Sequence, residues 1–156
     1  MDPAMEFASH GKFCIQAQQR VIRIDARGPW NVECTAEYAR QLQHCMQQIG
    51  APFAILAVSY DQAILSPEAE EVLRSNVRER VARGCVAQAT VLGDLIETFV
   101  ARARYRRVYM SEGLRHSLFT TTVPAVQWLM NCGFPEAALL KPGLLHADEA
   151  RQAGVG

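Results

Sequence analysis

The sequence of 156 residues lacks net charge, paired cysteines and any long apolar run. Sixteen Lys and Arg residues balance sixteen Asp and Glu residues, so no overall field draws the chain to nucleic acid or to an anionic membrane surface. No run of roughly eighteen apolar residues occurs, and the N-terminus has no basic stretch that leads into an apolar core. We therefore expect a protein with no membrane span and no secretory signal.

The cysteines also lack a functional pattern. Five are present, an odd number, and none belongs to a Cys-x-x-Cys pair. A structural zinc site needs ligands close together in sequence, and a secreted disulfide framework needs an even set. We therefore predict reduced, partly buried cysteines in a cytoplasmic protein that uses no metal or other cofactor. The five are Cys14, Cys34, Cys45, Cys85 and Cys132.

No histidine stands where it could activate a nucleophile, which requires a base beside a thiol or hydroxyl. His44 and Cys45 are adjacent, so on a helix their side chains point about 100° apart. Cys34 precedes His44 by ten residues, roughly 15 Å along a helix axis. The remaining histidines fall in three other segments. The sequence thus favours a protein that is not an enzyme.

Alternating and fully apolar runs predict five β-strands. Residues 13–17 and 21–26 alternate apolar and polar side chains, which is typical of half-buried strands joined as an antiparallel hairpin. Residues Phe53–Ser59, FAILAVS, carry no charge and predict a central strand that is covered on both faces. Two further strands are predicted over 86–92 and 114–119.

Four helices are predicted between and after these strands. Asn31 is placed to cap the first helix, in which Tyr38 and Leu42 recur at helical spacing. The second helix begins behind a Ser-Pro pair, described below, and the third and fourth are predicted over 95–112 and 125–132. These elements predict a single α/β domain with a five-stranded mixed sheet and four main helices.

The second helix is the best specified. Ser66 caps it, and Pro67 at the first helical position loses no donor that the helix needs. Leu73 and Val77 lie on its buried stripe, which continues at Arg80 or its neighbour Val81. Arginines near its end, Arg80 included, also suit the negative end of the helix dipole.

The domain is predicted over residues 12–133. Residues 1–11 carry no periodicity, and we expect them to form a loose leader. Residues 134–156 contain two prolines and only weak periodicity, and we expect a C-terminal tail there.

Two local motifs and the order of the elements make the chain resemble a known family. The motifs are the strand, turn and helix start over Leu56–Glu68, and Gly113-Leu114 followed by SLF and the helix AVQWL. The chain resembles the STAS domain, the fold of bacterial anti-sigma-factor antagonists and of the cytosolic part of sulfate transporters. The resemblance covers roughly Phe13–Cys132 and implies a bacterial regulatory module that binds other proteins.

The resemblance also marks Ser66 as a candidate phosphosite. STAS switch proteins carry Asp-Ser-Ser-Gly or a near variant, and a kinase phosphorylates the first serine. The matching run here is Leu65-Ser66-Pro67-Glu68, so serine is kept while leucine and glutamate replace aspartate and glycine. Phosphate suits a helix N-terminus, but glutamates already supply negative charge there. The alternative is that Ser66 serves only as the helix cap.

Polar residues of the turn after the third strand form the candidate binding site. Ser59, Asp61 and Ser66 lie at the carboxyl end of a buried strand, the edge where α/β sheets usually bind ligands. Asp61 can instead close the turn on its own backbone. Trp30, at the turn before the first helix, either packs in the core or stacks on a ligand.

The third predicted helix carries a basic cluster in which Arg102, Tyr105 and Arg106 are the candidate interface residues. Arginines spread around a helix suit salt-bridged solvent contact or an acidic protein partner, and nucleic-acid binding is the weaker alternative. Residues 30–71 hold six acids and one arginine, whereas residues 74–115 hold nine arginines and four acids. Surfaces of opposite sign also leave self-association open.

The sequence thus favours a non-enzymatic, STAS-like binding or regulatory module that recognises a protein partner or a small ligand near the Ser59–Glu68 turn. A small-molecule or lipid-binding protein is the alternative, and it requires an apolar pocket beneath the helices, near Trp30 or Phe99. An enzyme, which requires a cleft with a perturbed Cys or His, comes third.

Overall fold

A computed structural model of the chain describes residues 12–28, 31–60, 67–92, 99–109 and 114–143. The predicted leader lies outside these residues, as do Trp30, Asp61, Ser66 and the side chain of Phe99. The described residues form one α/β domain with a five-stranded mixed sheet and four helices. The predicted fold class is confirmed.

The strands follow one another across the sheet in chain order. The first strand runs antiparallel to the second, and all later neighbours are parallel. The central strand buries Ala54 and Leu56 on one face and Ile55 on the other, as its uncharged sequence predicts. The strands are β1 Lys12–Gln18, β2 Val21–Arg27, β3 Phe53–Ser59, β4 Cys85–Val91 and β5 Arg115–Phe119.

The helices begin at residues that favour helix starts. The Asn31 side chain accepts a hydrogen bond of 2.9 Å from the backbone N–H of Cys34, so the predicted cap is present. Thr121 is the N-cap residue of the last helix, which begins at Thr122, and Pro124 in its first turn loses no donor that the helix needs. The helices are α1 Val32–Gln48, α2 Pro67–Ala82, α3 Phe99–Tyr109, α4 Thr122–Asn131 and a 3₁₀ helix, Pro135–Leu139.

The two faces of the sheet are covered unequally. Helices α1, α2 and α3 cover one face and enclose the larger apolar cluster, to which β2 contributes Ile22 and Ile24. Helix α4 and the 3₁₀ helix cover the other face, where Val21 of β2 and Leu129 of α4 are fully buried. This division follows from the alternation of side chains along each strand.

The first part of the predicted tail packs on the sheet. Phe134 and Ala137 are buried, and the backbone N–H of Gly143 donates to Asp25 Oδ2. A Cβ atom at Gly143 would lie 2.6 Å from the Sγ atom of Cys14, so this position has room only for glycine. The packed unit therefore reaches Gly143, beyond the predicted domain end at residue 133.

Candidate functional site

A cavity of about 50 Å³ lies where strands β2, β3 and β4 end, beneath helices α1, α2 and α3. This is the carboxyl edge of the parallel part of the sheet, where α/β domains usually bind ligands. Its walls are mostly apolar and include Leu73 of α2, Ala57 of β3 and Ile24 of β2. Among the described wall residues, the polar exceptions carry hydroxyl groups and are Tyr38, Ser59, Thr90, Tyr105 and Tyr109.

Three tyrosines dominate the helical side of the cavity. Tyr105 and Tyr109 are one turn apart on α3, and their rings are nearly parallel with centroids 5.8 Å apart. Tyr105 also forms a side-chain hydrogen bond with Ser59 at the end of β3. Burial raises the pKa of Tyr38 to about 12, and burial likewise raises the pKa of Tyr105. These phenols are therefore neutral at physiological pH.

A buried cation lies against the same tyrosines. The guanidinium of Arg80, on α2, is completely shielded from solvent. It donates to Gln88 Oε1 over 2.6 Å, to the Tyr38 hydroxyl over 3.1 Å, and to Asn76 Oδ1. Its central carbon lies 5.5 Å from the centroid of the Tyr109 ring. Arg80 thus joins α1, α2, α3 and β4 through neutral groups.

The polar network continues across the sheet to β5. Gln88 Nε2 donates to the Thr90 hydroxyl over 3.2 Å, and that hydroxyl lies 2.7 Å from His116 Nε2. The His116 ring stacks on Tyr109 with centroids 4.6 Å apart. Burial, and then the positive charge of Arg80, lower the pKa of His116 to about 3. The imidazole is therefore neutral at physiological pH.

The network has no anionic member among the described residues. No Asp or Glu side chain in that part of the protein forms an ion pair with Arg80, although the guanidinium keeps its charge. Two of its buried donors, Arg80 Nε and Asn76 Nδ2, also have no hydrogen-bond partner. Most buried polar groups are paired in folded proteins, so these two donors require an explanation.

The predicted site residues are divided by the structure. Ser59 lines the cavity, whereas Asp61, Ser66 and Trp30 lie outside the described residues. Gly28, at the end of β2, brings the segment just before Trp30 to the cavity. Of the predicted binding residues, Ser59 is thus the one that the structure describes at this edge of the sheet.

The predicted interface on α3 needs a correction. Tyr105 is buried in the core and lines the cavity, so it cannot belong to an exposed surface with Arg102 and Arg106, which are exposed. Two other arginines of α3, Arg104 and Arg107, reach Glu70 of α2 at 4.0 and 2.9 Å. That contact matches the predicted salt-bridged solvent face.

Sequence reasoning missed the role of Arg80. The spacing of Arg80 from Leu73 and Val77 places it on the buried stripe of α2, and this spacing is the feature of the sequence that indicates its burial. An arginine near a helix end also suits the helix dipole. Because the dipole alone explains an arginine at this position, the sequence does not require Arg80 to be buried. Tyr38 and His116 were likewise not singled out, because their contacts come from elements far apart in sequence.

A second buried polar cluster lies on the opposite face of the sheet. Asp25 accepts hydrogen bonds of 3.0 Å from both Nε and Nη2 of Arg23, and it also accepts from the Tyr60 hydroxyl. The backbone N–H of Gly143 completes the set at 2.9 Å. Burial, followed by the hydrogen bond to Asp25, raises the pKa of Tyr60. This cluster pairs its own charges and holds the C-terminal segment on the sheet.

The described residues contain neither a candidate metal site nor a candidate membrane span. No group of three or more His, Cys, Asp or Glu side chains there could hold a metal ion. None of the helices in that part of the chain combines the length and apolarity needed to cross a membrane. In comparisons with known proteins, no protein-family profile matches this chain and no curated protein matches it in sequence.

Proposed function

We propose that the protein is a STAS-like, non-enzymatic binding module that takes a small ligand in the cavity at the carboxyl edge of its sheet. The observation that carries this proposal is the enclosure of that cavity by three tyrosines and two further hydroxyls among apolar walls. Small-molecule sites typically combine apolar walls with a few convergent polar groups.

The size of the cavity limits what it can hold. Its volume of about 50 Å³ exceeds the ~10–15 Å³ that one water molecule needs. It is far below the ~300–1,000 Å³ of a pocket for a drug-sized molecule. The ligand is therefore a molecule of few non-hydrogen atoms, or a compact end group of a larger one.

The chemistry of the cavity favours binding over catalysis. The Tyr38 phenol is held neutral, with a pKa of about 12, and it is a hydrogen-bonding group rather than a base at physiological pH. Cys85 has a thiol close enough to Arg80 to be affected by its charge, and burial raises the pKa of this thiol to about 11. A thiol of this kind is a poor nucleophile, because the thiolate is the reactive form.

Helix α3 offers a connection between the cavity and a protein partner. It contributes Tyr105 and Tyr109 to the cavity wall and exposes Arg102 and Arg106 to solvent. A ligand that repositions the tyrosines changes the placement of the two arginines, because all four side chains belong to one helix. Regulation through an acidic partner, or through self-association, is consistent with this arrangement.

A thermal-shift screen of small metabolites tests the proposal, with a variant that fills the cavity. Ala57→Leu adds side-chain volume to the cavity wall, whereas Ala39→Leu makes the same change on α1 away from the cavity. A ligand of the cavity should stabilise the unchanged protein and Ala39→Leu, and it should not stabilise Ala57→Leu. Equal stabilisation of all three proteins, or no stabilisation by any compound, contradicts the proposal.

A further inference from the structure

The buried arginine beside the cavity indicates what kind of ligand fits. Resting on the proposed function, we infer that the cavity binds a small aliphatic carboxylate, whose negative charge is balanced by Arg80. Three independent observations support this inference: an uncompensated buried charge, two unpaired donors, and walls that the cavity shares with the arginine.

The first observation is the charge itself. Arg80 is fully buried, and its hydrogen-bond acceptors among the described residues are the neutral groups of Gln88, Asn76 and Tyr38. Buried charges in proteins are normally paired with an opposite charge, because removing an ion from water is costly. The other titratable groups that contact the network, among them His116 and Cys85, are also neutral at physiological pH. A ligand anion supplies the missing charge.

The second observation is the pair of unsatisfied groups. Arg80 Nε and Asn76 Nδ2 are both buried and both lack a partner in the described part of the protein. Both are donors, so the group that is missing is an acceptor. Neither Arg80 nor Asn76 is among the described residues that line the cavity, so a carboxylate there balances the charge of Arg80 across Tyr38 and Tyr109, which line the cavity and contact the guanidinium.

The third observation is the position of the charge relative to the cavity. Tyr38 lines the cavity and accepts a hydrogen bond from Arg80. Tyr109 lines the cavity and carries the guanidinium 5.5 Å from the centroid of its ring. Thr90 lines it as well and accepts from Gln88, which binds Arg80. An anion in the cavity is thus separated from Arg80 by no more than one side chain.

The composition of the walls selects a monoanion with an apolar body. Among the described residues, Arg80 is the cation that contacts Tyr38 and Tyr109 of the wall, and the rest of the described wall is apolar apart from a few hydroxyls. A phosphate dianion typically requires several cationic or backbone donors. A carboxylate on a short aliphatic chain matches a single positive charge, and its chain contacts Ile24, Ala57 and Leu73.

The test compares a carboxylate with its neutral isostere on the whole chain. Isobutyrate and isobutyramide have the same shape and differ in charge, and inorganic phosphate serves as a second anion. Ligand-observed NMR titrations should give a Kd for isobutyrate that is lower than that for isobutyramide by about tenfold or more. Phosphate should not compete.

Two variants separate the role of Arg80 from general damage. Arg80→Met should abolish the preference for the carboxylate, whereas Arg78→Met, at an exposed position of the same helix, should keep it. Asn76→Asp places a carboxylate on the atom that already accepts from Arg80, so the protein then neutralises the arginine itself. This variant should raise the melting temperature and lose the preference for isobutyrate, even if Arg80→Met does not fold.

The outcomes distinguish this inference from the proposed function. Equal binding of isobutyrate and isobutyramide, or a preference that persists in Asn76→Asp, overturns the anion inference and leaves a ligand-binding cavity in place. Stronger binding of phosphate overturns it as well. If no carboxylate from formate to valerate and none of the matching amides binds, both the anion inference and the proposed ligand-binding function are overturned.

Discussion

The backbone N–H of Gly143 donates a hydrogen bond to the buried carboxylate of Asp25, although 118 residues separate the two. Asp25 is completely shielded from solvent, and Arg23 and Tyr60 supply its other donors. One carboxylate therefore receives its donors from β2, from the residue after β3, and from the C-terminal segment. The relationship makes Asp25 the residue that fixes this segment on the sheet.

Replacing Asp25 should destabilise the protein strongly. Asp25→Asn removes the negative charge that pairs with Arg23, and Arg23 is itself buried. Leaving one member of a buried ion pair without its partner costs about 3–5 kcal/mol. Urea unfolding should show a loss of that order, against less than about 1 kcal/mol for Glu37→Gln in the exposed pair with Arg40. Equal losses in the two variants would refute this account.

A side chain at residue 143 should displace the C-terminal segment. Gly143→Ala places a Cβ atom 2.6 Å from Cys14 Sγ and 3.1 Å from Asp25 Oδ2. Overpacking of this kind costs about 1–3 kcal/mol. Gly50→Ala is the matched control, because a Cβ atom there meets nothing within 4 Å. Thermal denaturation should separate the two variants, and a Gly143→Ala protein as stable as Gly50→Ala contradicts the docking of this segment.

Arg80 and Gln88 should behave as a coupled pair. Arg80→Met leaves Gln88 Oε1 without its donor, and Gln88→Met removes an acceptor from a buried guanidinium. Each unsatisfied buried group costs about 1–3 kcal/mol. The double variant removes both groups, so its loss should fall short of the sum of the single losses by about 1 kcal/mol. Full additivity in urea unfolding would show that the two side chains do not interact.

Stability should fall in acid through His116. The ordinary pKa of histidine is 6.5, and burial lowers the pKa of His116 to about 3, so between these values the unfolded state binds a proton that the folded state does not. The contribution is therefore constant above pH 6.5 and decreases below it, by up to about 1.4 kcal/mol per pH unit. Urea unfolding at pH values on both sides of 6.5 measures this slope. His116→Gln keeps a hydrogen-bonding group but cannot bind this proton, so the unfolding free energy should depend less on pH below 6.5. If the slope is unchanged in this variant, other groups cause the loss of stability in acid.

The cap of α1 should contribute an ordinary helix-capping energy. Asn31→Ala removes the side-chain acceptor for the Cys34 N–H, and such losses amount to about 1 kcal/mol. Asn31→Asp retains an acceptor and adds a negative charge where the helix dipole favours one. In chemical denaturation, the free energy of unfolding of Asn31→Asp should therefore equal or exceed that of the unchanged protein, and that of Asn31→Ala should be lower.

Local physics explains why so much of the fold was predictable. The antiparallel hairpin of β1 and β2, the uncharged β3 and the cap at Asn31 follow from neighbouring residues, and the structure contains each of them. The prediction that β2 is half-buried is wrong: Val21–Asp25 are all buried, because Arg23 and Asp25 pair with each other on the second face of the sheet. The sheet class followed from the same signals, because a hairpin followed by alternating helices and strands produces a mixed sheet. These elements required no knowledge of distant contacts.

The site was less predictable because it depends on distant contacts. Arg80 is buried only because Tyr38, Gln88 and Tyr109 meet it from three other elements. The arginines beside Tyr105 on α3 predict an exposed interface residue. Tyr105 is buried instead, and this follows only from the packing of α3 on the sheet. The sequence of residues 134–143 has no periodicity that predicts their packing on the sheet, because this packing relies on small residues and on a backbone N–H.

The long separation between Asp25 and Gly143 has a consequence for synthesis of the chain. A ribosome adds about 5–20 residues per second, so the 118 residues between donor and acceptor take roughly 6 to 24 s to make. During that interval the residues of β1 and β2 have been made, whereas the segment that donates to the Asp25 carboxylate has not. Completion of this domain during translation therefore waits for the emergence of its C-terminal segment, and nascent chains that end before Gly143 lack one of the hydrogen-bond donors of the Asp25 carboxylate.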